Sequence, residues 1–256
     1  MRGVFAVIRK ELAIAILSPV FYAAMFMFLL LSGYFFYSTA VSYSLFCLQA
    51  SSNPFLAERL NVTDLVLKPF FADLAIILLL MLPLITMRLY SEEKKSGTIE
   101  LLFTYPLSDL AVLAGKFIAA VLVLLVLLGG TIPHLIILGT LVRLEWGVVI
   151  SGYLGIALMG TGFLALGIFM SSLTENQIVA AVLSFGLLLL FWPFGWGARL
   201  AAPPLQEIVG HMSVVAHLES FVEGLIDTRD VVFYLLFCFF WLFLTLRFLN
   251  SRFWRG

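Results

Sequence analysis

The chain has 256 residues, of which 62% are apolar, 12% are charged and 25 are phenylalanine, whereas soluble domains are near half apolar and about 25% charged. With a mean hydropathy of +1.10, the polar residues are too few to cover the surface unless lipid is the solvent, so a water-soluble fold is excluded. Equal numbers of basic and acidic residues, 15 of each, leave no net field to recruit nucleic acid.

Residues 1–19 open the chain. Val4, Phe5, Val7, Ile8, Leu12 and Ile14 surround the charged triplet Arg9-Lys10-Glu11, and Ser18-Pro19 then breaks the helix. This pattern predicts a helix lying in the membrane interface, and the triplet interrupts any signal-peptide core. A membrane-crossing helix needs roughly 20 mostly apolar residues. Six stretches qualify, at about 20–46, 70–90, 117–142, 147–172, 178–198 and 231–250. The predicted fold is therefore an all-α membrane protein with six transmembrane helices in a single domain, 1–256.

The connection 47–69 carries Asn53-Pro54 and Lys68-Pro69 as breakers. In the loop 199–230, Pro203-Pro204 precede Leu205, Ile208, Val209, Met212, Val215 and Leu218 at three- and four-residue spacing, which predicts one or two short amphipathic helices. With six spans both termini share one side. That side holds ten of the 15 lysines and arginines, so the positive-inside rule places both termini in the cytoplasm and 199–230 outside. Pro83, Pro133 and Pro193 mark kinks. The fourth span, with Ser151, Gly152, Gly155, Gly160, Gly162 and Gly167, offers little side-chain bulk and is expected to be buried among helices.

Signs of catalysis are absent from the sequence. Gly115-Lys116 lacks the glycine five residues earlier, where Leu110 stands, and the following Ser or Thr, where Phe117 stands, so it is not a phosphate loop. GxSxG and HExxH do not occur. Cys47 and Cys238 have no CxxC or metal-ligand spacing and read as small apolar residues. His211, His217 and Glu219 are read as interfacial residues, and no metal is expected. His134 follows Pro133 deep in the third span, where an ionisable group is a functional candidate; satisfying local polar groups is the simpler reading.

The informative stretch is the coupling segment, 91–109. Glu92 to Lys95 form a charged cluster, Gly97 permits a sharp turn, and the apolar run Thr98 to Phe103, interrupted by Glu100, ends before Pro106. It reads as a short submembrane helix offering an apolar face and a carboxylate to a cytosolic partner, and spacing alone fits a solvated interfacial helix equally. The run Glu92-Glu93-Lys94-Lys95-Ser96-Gly97-Thr98-Ile99-Glu100-Leu101-Leu102, followed by Pro106-Leu107-Ser108 and Gly115-Lys116, resembles the signature of ABC-2 type transporter permeases. Arg9-Lys10-Glu11-Leu12 with Ser18-Pro19, Thr86-Met87-Arg88, the stretch Ser171 to Gln177 and the stretch His217 to Asp230 together resemble its GldF-like, gliding-motility-associated branch.

The resemblance implies a type V exporter-like permease in a bacterial inner membrane, paired as a homodimer or heterodimer with a second permease subunit. Each half would contact a separate ABC ATPase subunit, which would bind the ATP and Mg; the chain itself would be neither an enzyme nor a cofactor carrier. It further implies that Glu92, Glu93, Gly97, Thr98, Glu100, Leu101 and Pro106 meet the ATPase, with Arg9, Lys10, Glu11 and Glu175 as secondary cytoplasmic contacts. Motion would pass to spans one, two and five, driving export of a substrate. The alternative function is a non-transporting scaffold that delivers the motion to an envelope or motility assembly.

Overall fold

The computed structural model describes residues 2–52, 60–98, 108–192 and 213–253, and the regular elements among them are all helical. Helix α1 spans Arg2–Leu17 and α2 spans Pro19–Ala50. A π-helical turn, Thr63–Leu67, leads into α3, Lys68–Thr86, and α4, Arg88–Lys95. Then come α5, Asp109–Gly129; α6, Ile132–Leu141; α7, Trp146–Leu173; α8, Gln177–Phe191; α9, Ala216–Val222; and α10, Thr228–Phe253.

Local chemistry sets these boundaries. Ser18 is extended (φ −84°, ψ 126°) and Pro19 starts α2, where its missing N–H needs no partner, so α1 is a helix separate from the first span. Ser108 is also extended, and its hydroxyl accepts the Ala111 N–H, starting α5. Asn176 caps α8 through the Ile178 and Val179 N–H groups.

Five helical stretches among the described residues are long and apolar enough to cross a membrane: Pro19–Ala50, Thr63–Lys95, Asp109–Leu141, Trp146–Leu173 and Thr228–Ser251. Three differ from expectation at their ends. The first continues past residue 46, because no breaker precedes Asn53. The second begins before residue 70: Pro69 sits in the first turn of α3, where proline is tolerated, and does not break the chain. The third begins at Asp109 instead of 117, so Gly115 and Lys116 are helical and the segment 91–109 is helix at both of its ends. The fifth expected span, 178–198, is the 15-residue α8 followed as far as Trp192; 193–198 lie outside the described residues, as does Pro193. Pro83 lies inside α3, with the interruption following at Met87, and Pro133 opens α6 after a break at Gly130-Thr131.

Helix α7 is the hub, packing against α3, α4, α5, α8, α9 and α10. Its glycines permit this. A Cβ at Gly155 would stand 2.6 Å from the Phe221 Cβ, and one at Gly167 would stand 2.1 Å from the Thr86 Oγ1. The loop 199–230 thus contributes α9, whose Leu218 and Phe221 are buried against α7; 199–212 lie outside the described residues. Cys47 and Cys238 are free thiols.

Candidate functional site

Helix α4 continues α3 beyond Met87 and ends in a turn. The Ser96 N–H donates to the Glu92 carbonyl at 3.0 Å, the Gly97 N–H donates to the Lys94 carbonyl at 3.1 Å, and Gly97 takes φ +68°, the conformation anticipated for it. Helical phase separates the two adjacent carboxylates. Glu92 is exposed, whereas the Glu93 side chain is 12% exposed and points into the bundle.

Two ammonium groups meet the same oxygen of Glu93. Lys10 of α1 lies 2.7 Å and Lys116 of α5 lies 3.0 Å from Glu93 Oε1. Lys116 is 1% exposed; it also donates to Glu11 Oε1 at 2.7 Å and to the Leu89 carbonyl at 2.7 Å, and lies 5.1 Å over the Tyr90 ring. Its ammonium is thus hydrogen-bonded to α1 and α4 and ion-paired with Glu93. Glu93 Oε2 is buried with no hydrogen-bond partner among the described residues. At Lys10, burial is the largest single influence and opposes the charge, but the Glu93 hydrogen bond and the Glu93 and Glu11 charges together outweigh it, raising the pKa above 10.5.

Gly115 explains how α1 comes so close. A Cβ there would stand 2.7 Å from the Val7 Cβ and 3.2 Å from the Val4 carbonyl oxygen, so α1 lies directly on α5. Arg88 Nη1 donates to Ser18 Oγ at 3.0 Å, tying the start of α4 to the break between α1 and α2.

The end of α7 completes the corner. Ser171 Oγ accepts the Tyr90 and Ser91 N–H groups at 3.0 and 3.2 Å and donates to the Met87 carbonyl at 2.8 Å, satisfying backbone groups left over where α3 gives way to α4. Lys94 donates to the Ser172 carbonyl and lies 5.3 Å over the Phe248 ring of α10. A cleft of about 260 Å³ opens here, bordered by Ile14, Arg88, Glu92, Ser96 and Thr98 together with the ion cluster.

The structure thus brings together Lys10, Glu11 and Glu93. Glu92, Gly97 and Thr98 stand exposed beside them, while Arg9 and Glu175 are exposed and take no part in the ion cluster. Glu100, Leu101 and Pro106 lie outside the described residues. Lys116, Lys94, Ser171 and Ser172 were not singled out as site residues; the signal for Lys116 was a lone lysine seven residues into a helix started by Ser108. His134 belongs to a different region, on α6. Its Nδ1 lies 3.1 Å from the Thr131 carbonyl oxygen and its ring centroid 5.2 Å from that of Phe36, in keeping with local satisfaction and packing.

Among the described residues no group of His, Cys, Asp and Glu is placed to hold a metal. His217 instead lies 2.6 Å from Asp230 and stacks on Phe233 at 3.9 Å; His211 lies outside the described residues. What the corner offers is mechanical: four helices joined through one buried charge cluster and one serine hydroxyl. The sequence profile of the ABC-2 family transporter proteins matches residues 5–223. No curated protein matches the chain at a significant level.

Proposed function

The chain belongs to the ABC-2 transporter family, and from that premise we propose that this multi-pass membrane permease component takes up the motion of a separate ABC ATPase at the corner formed by α1, α4 and α5. The observation that carries the reading is the Glu11–Lys116–Glu93 cluster. A push on the chain beyond Lys95 moves α4, and the buried ion pairs oblige α1 and α5 to move with it, while Ser171 and Lys94 pass the displacement to α7. Glu92, Gly97, Thr98, Glu100, Leu101 and Pro106 are the proposed contact with the ATPase, which supplies the ATP and Mg chemistry, and Arg9 and Glu175 flank it. On the positive-inside argument this corner is cytoplasmic; the resemblance to ABC-2 permeases supports a bacterial inner membrane, and the 178–198 segment is the fifth of six crossings. The membrane unit is a pair of permease subunits of the GldF-like branch, and the work done is export.

The test uses the permease–ATPase complex in lipid nanodiscs. Gly97→Ala and Glu100→Gln are expected to reach the membrane in normal amount and to copurify with the ATPase, while hydrolysis falls to the rate of the isolated ATPase subunit. Hydrolysis in both variant complexes at the wild-type rate would refute the assignment.

A further inference from the structure

Followed along α3 and α4, the start of α3 is roughly 37 Å of helical rise from Glu93 at 1.5 Å per residue. At that far end α3 and α9 stand apart around a cavity of about 770 Å³. Pockets for drug-sized ligands occupy about 300–1,000 Å³. The walls are mostly apolar, with Pro69, Ala72 and Ile76 of α3, then Trp192, then Leu218 and Val222 of α9. Ile76 is 48% exposed, a large apolar side chain facing open space about two turns into α3. An apolar hollow in that setting is satisfied by an alkyl chain, not by water.

The rim carries the information about the headgroup. Asp64, Lys68, Glu219 and Glu223 are the charged side chains among the described lining residues. The Lys68 ammonium is already shared, at 2.7 Å from Asp64 and 3.0 Å from Glu223, and Glu219 has no cationic partner among the described residues. Among these described lining residues, three carboxylates stand against one ammonium, an excess of two negative charges. An anionic headgroup is repelled there, and a cation is attracted by the carboxylates.

We propose that this cavity binds one amphiphile drawn from the surrounding leaflet, its alkyl chain against Ile76, Trp192 and Leu218 and its cationic amine or quaternary ammonium headgroup at Glu219 and Glu223. The assignment goes beyond the permease reading and does not depend on it, because binding is read without an ATPase and without nucleotide.

The full chain in zwitterionic-lipid nanodiscs is titrated with bromododecyltrimethylammonium, whose bromine quenches nearby indoles, and in parallel with bromododecyl sulfate. Trp192 is one of five tryptophans, so Trp192→Phe identifies its share of the signal. Expected are saturable quenching by the cation, loss of the saturable part in Trp192→Phe, and about tenfold weaker binding both of the sulfate to the wild type and of the cation to Glu219→Gln/Glu223→Gln. Equal binding of the two headgroups overturns the proposal, as does the absence of saturable quenching or its survival in Trp192→Phe. The headgroup comparison needs no variant and decides the matter even where the glutamine protein does not fold.

Discussion

At Lys116 an ammonium is held at 1% exposure, between carboxylates that are themselves 9% and 12% exposed. Such a charge is tolerable only while every partner stays in place, since desolvation of the three ions is offset by their mutual attraction and by the Leu89 carbonyl. Lys116→Met leaves Glu11 and Glu93 facing each other, with half-exposed Lys10 as the remaining cation. Its expected cost is about 3–5 kcal/mol, read as a lowered unfolding midpoint of the detergent-solubilised protein. Replacing all three members, as Glu11→Leu/Lys116→Met/Glu93→Leu, removes the uncompensated charges and is expected to recover most of that loss. A triple variant no more stable than the single one would show that the cluster is not the source of the cost. On the functional reading, the recovered protein still fails to couple, because an apolar contact lets α4 slide over α1 and α5 where the ion pairs fix their register.

At the scale of elements, the joint between α3 and α7 is the tightest contact in the bundle that a substitution can probe. Gly167→Ala drives a methyl to 2.1 Å from Thr86 Oγ1, a hydroxyl already bonded to the Leu82 carbonyl at 3.0 Å, and the helices must part. The expected loss is about 1–3 kcal/mol. Gly186→Ala on α8 meets nothing within 4 Å and is expected to gain up to about 1 kcal/mol from helix propensity. Unfolding midpoints that shift in the same direction in both variants would contradict this packing account. The burial of α7 was legible in its small residues, and the turn at Gly97 in the residue itself, because both follow from local geometry. Bilayer thickness likewise made the apolar centres of the spans legible. Their ends were not: a reading by hydropathy stops where charge begins, whereas the backbone hydrogen bonds of α3 and α5 continue through Thr63 and Asp109 into polar sequence. The ion-pair role of Lys116 was hidden for another reason. Its partner Glu11 is 105 residues away, and only the packing of α1 across Gly115 brings them together. Which of Glu92 and Glu93 turns inward is equally a matter of helical phase, which neither residue announces.

Over the whole molecule, the outer faces of α2 and α10 differ in a way that bears on the proposed pairing of permease subunits. Both helices are largely uncovered, with 17% of the most apolar window buried in each. The open face of α10 presents Leu235, Leu236, Phe239 and Phe240, side chains that hydrocarbon accommodates without cost. That of α2 presents Tyr34 and Tyr37, 64% and 68% exposed, near the middle of a 32-residue helix. Phenol hydroxyls are at home at the membrane interface or against protein, not at hydrocarbon depth, so a partner surface suits the α2 stripe better than lipid does. The expectation is that Tyr34→Cys, in a background with Cys47 and Cys238 replaced by alanine, forms a permease–permease disulfide on mild oxidation in native membranes, and that Phe239→Cys does not. The readout is a band at twice the monomer mass on a non-reducing gel. Crosslinking through Phe239→Cys but not Tyr34→Cys would move the pairing surface to α10. Equal yields from both would mean that chance collisions, and not a seated interface, produce the band.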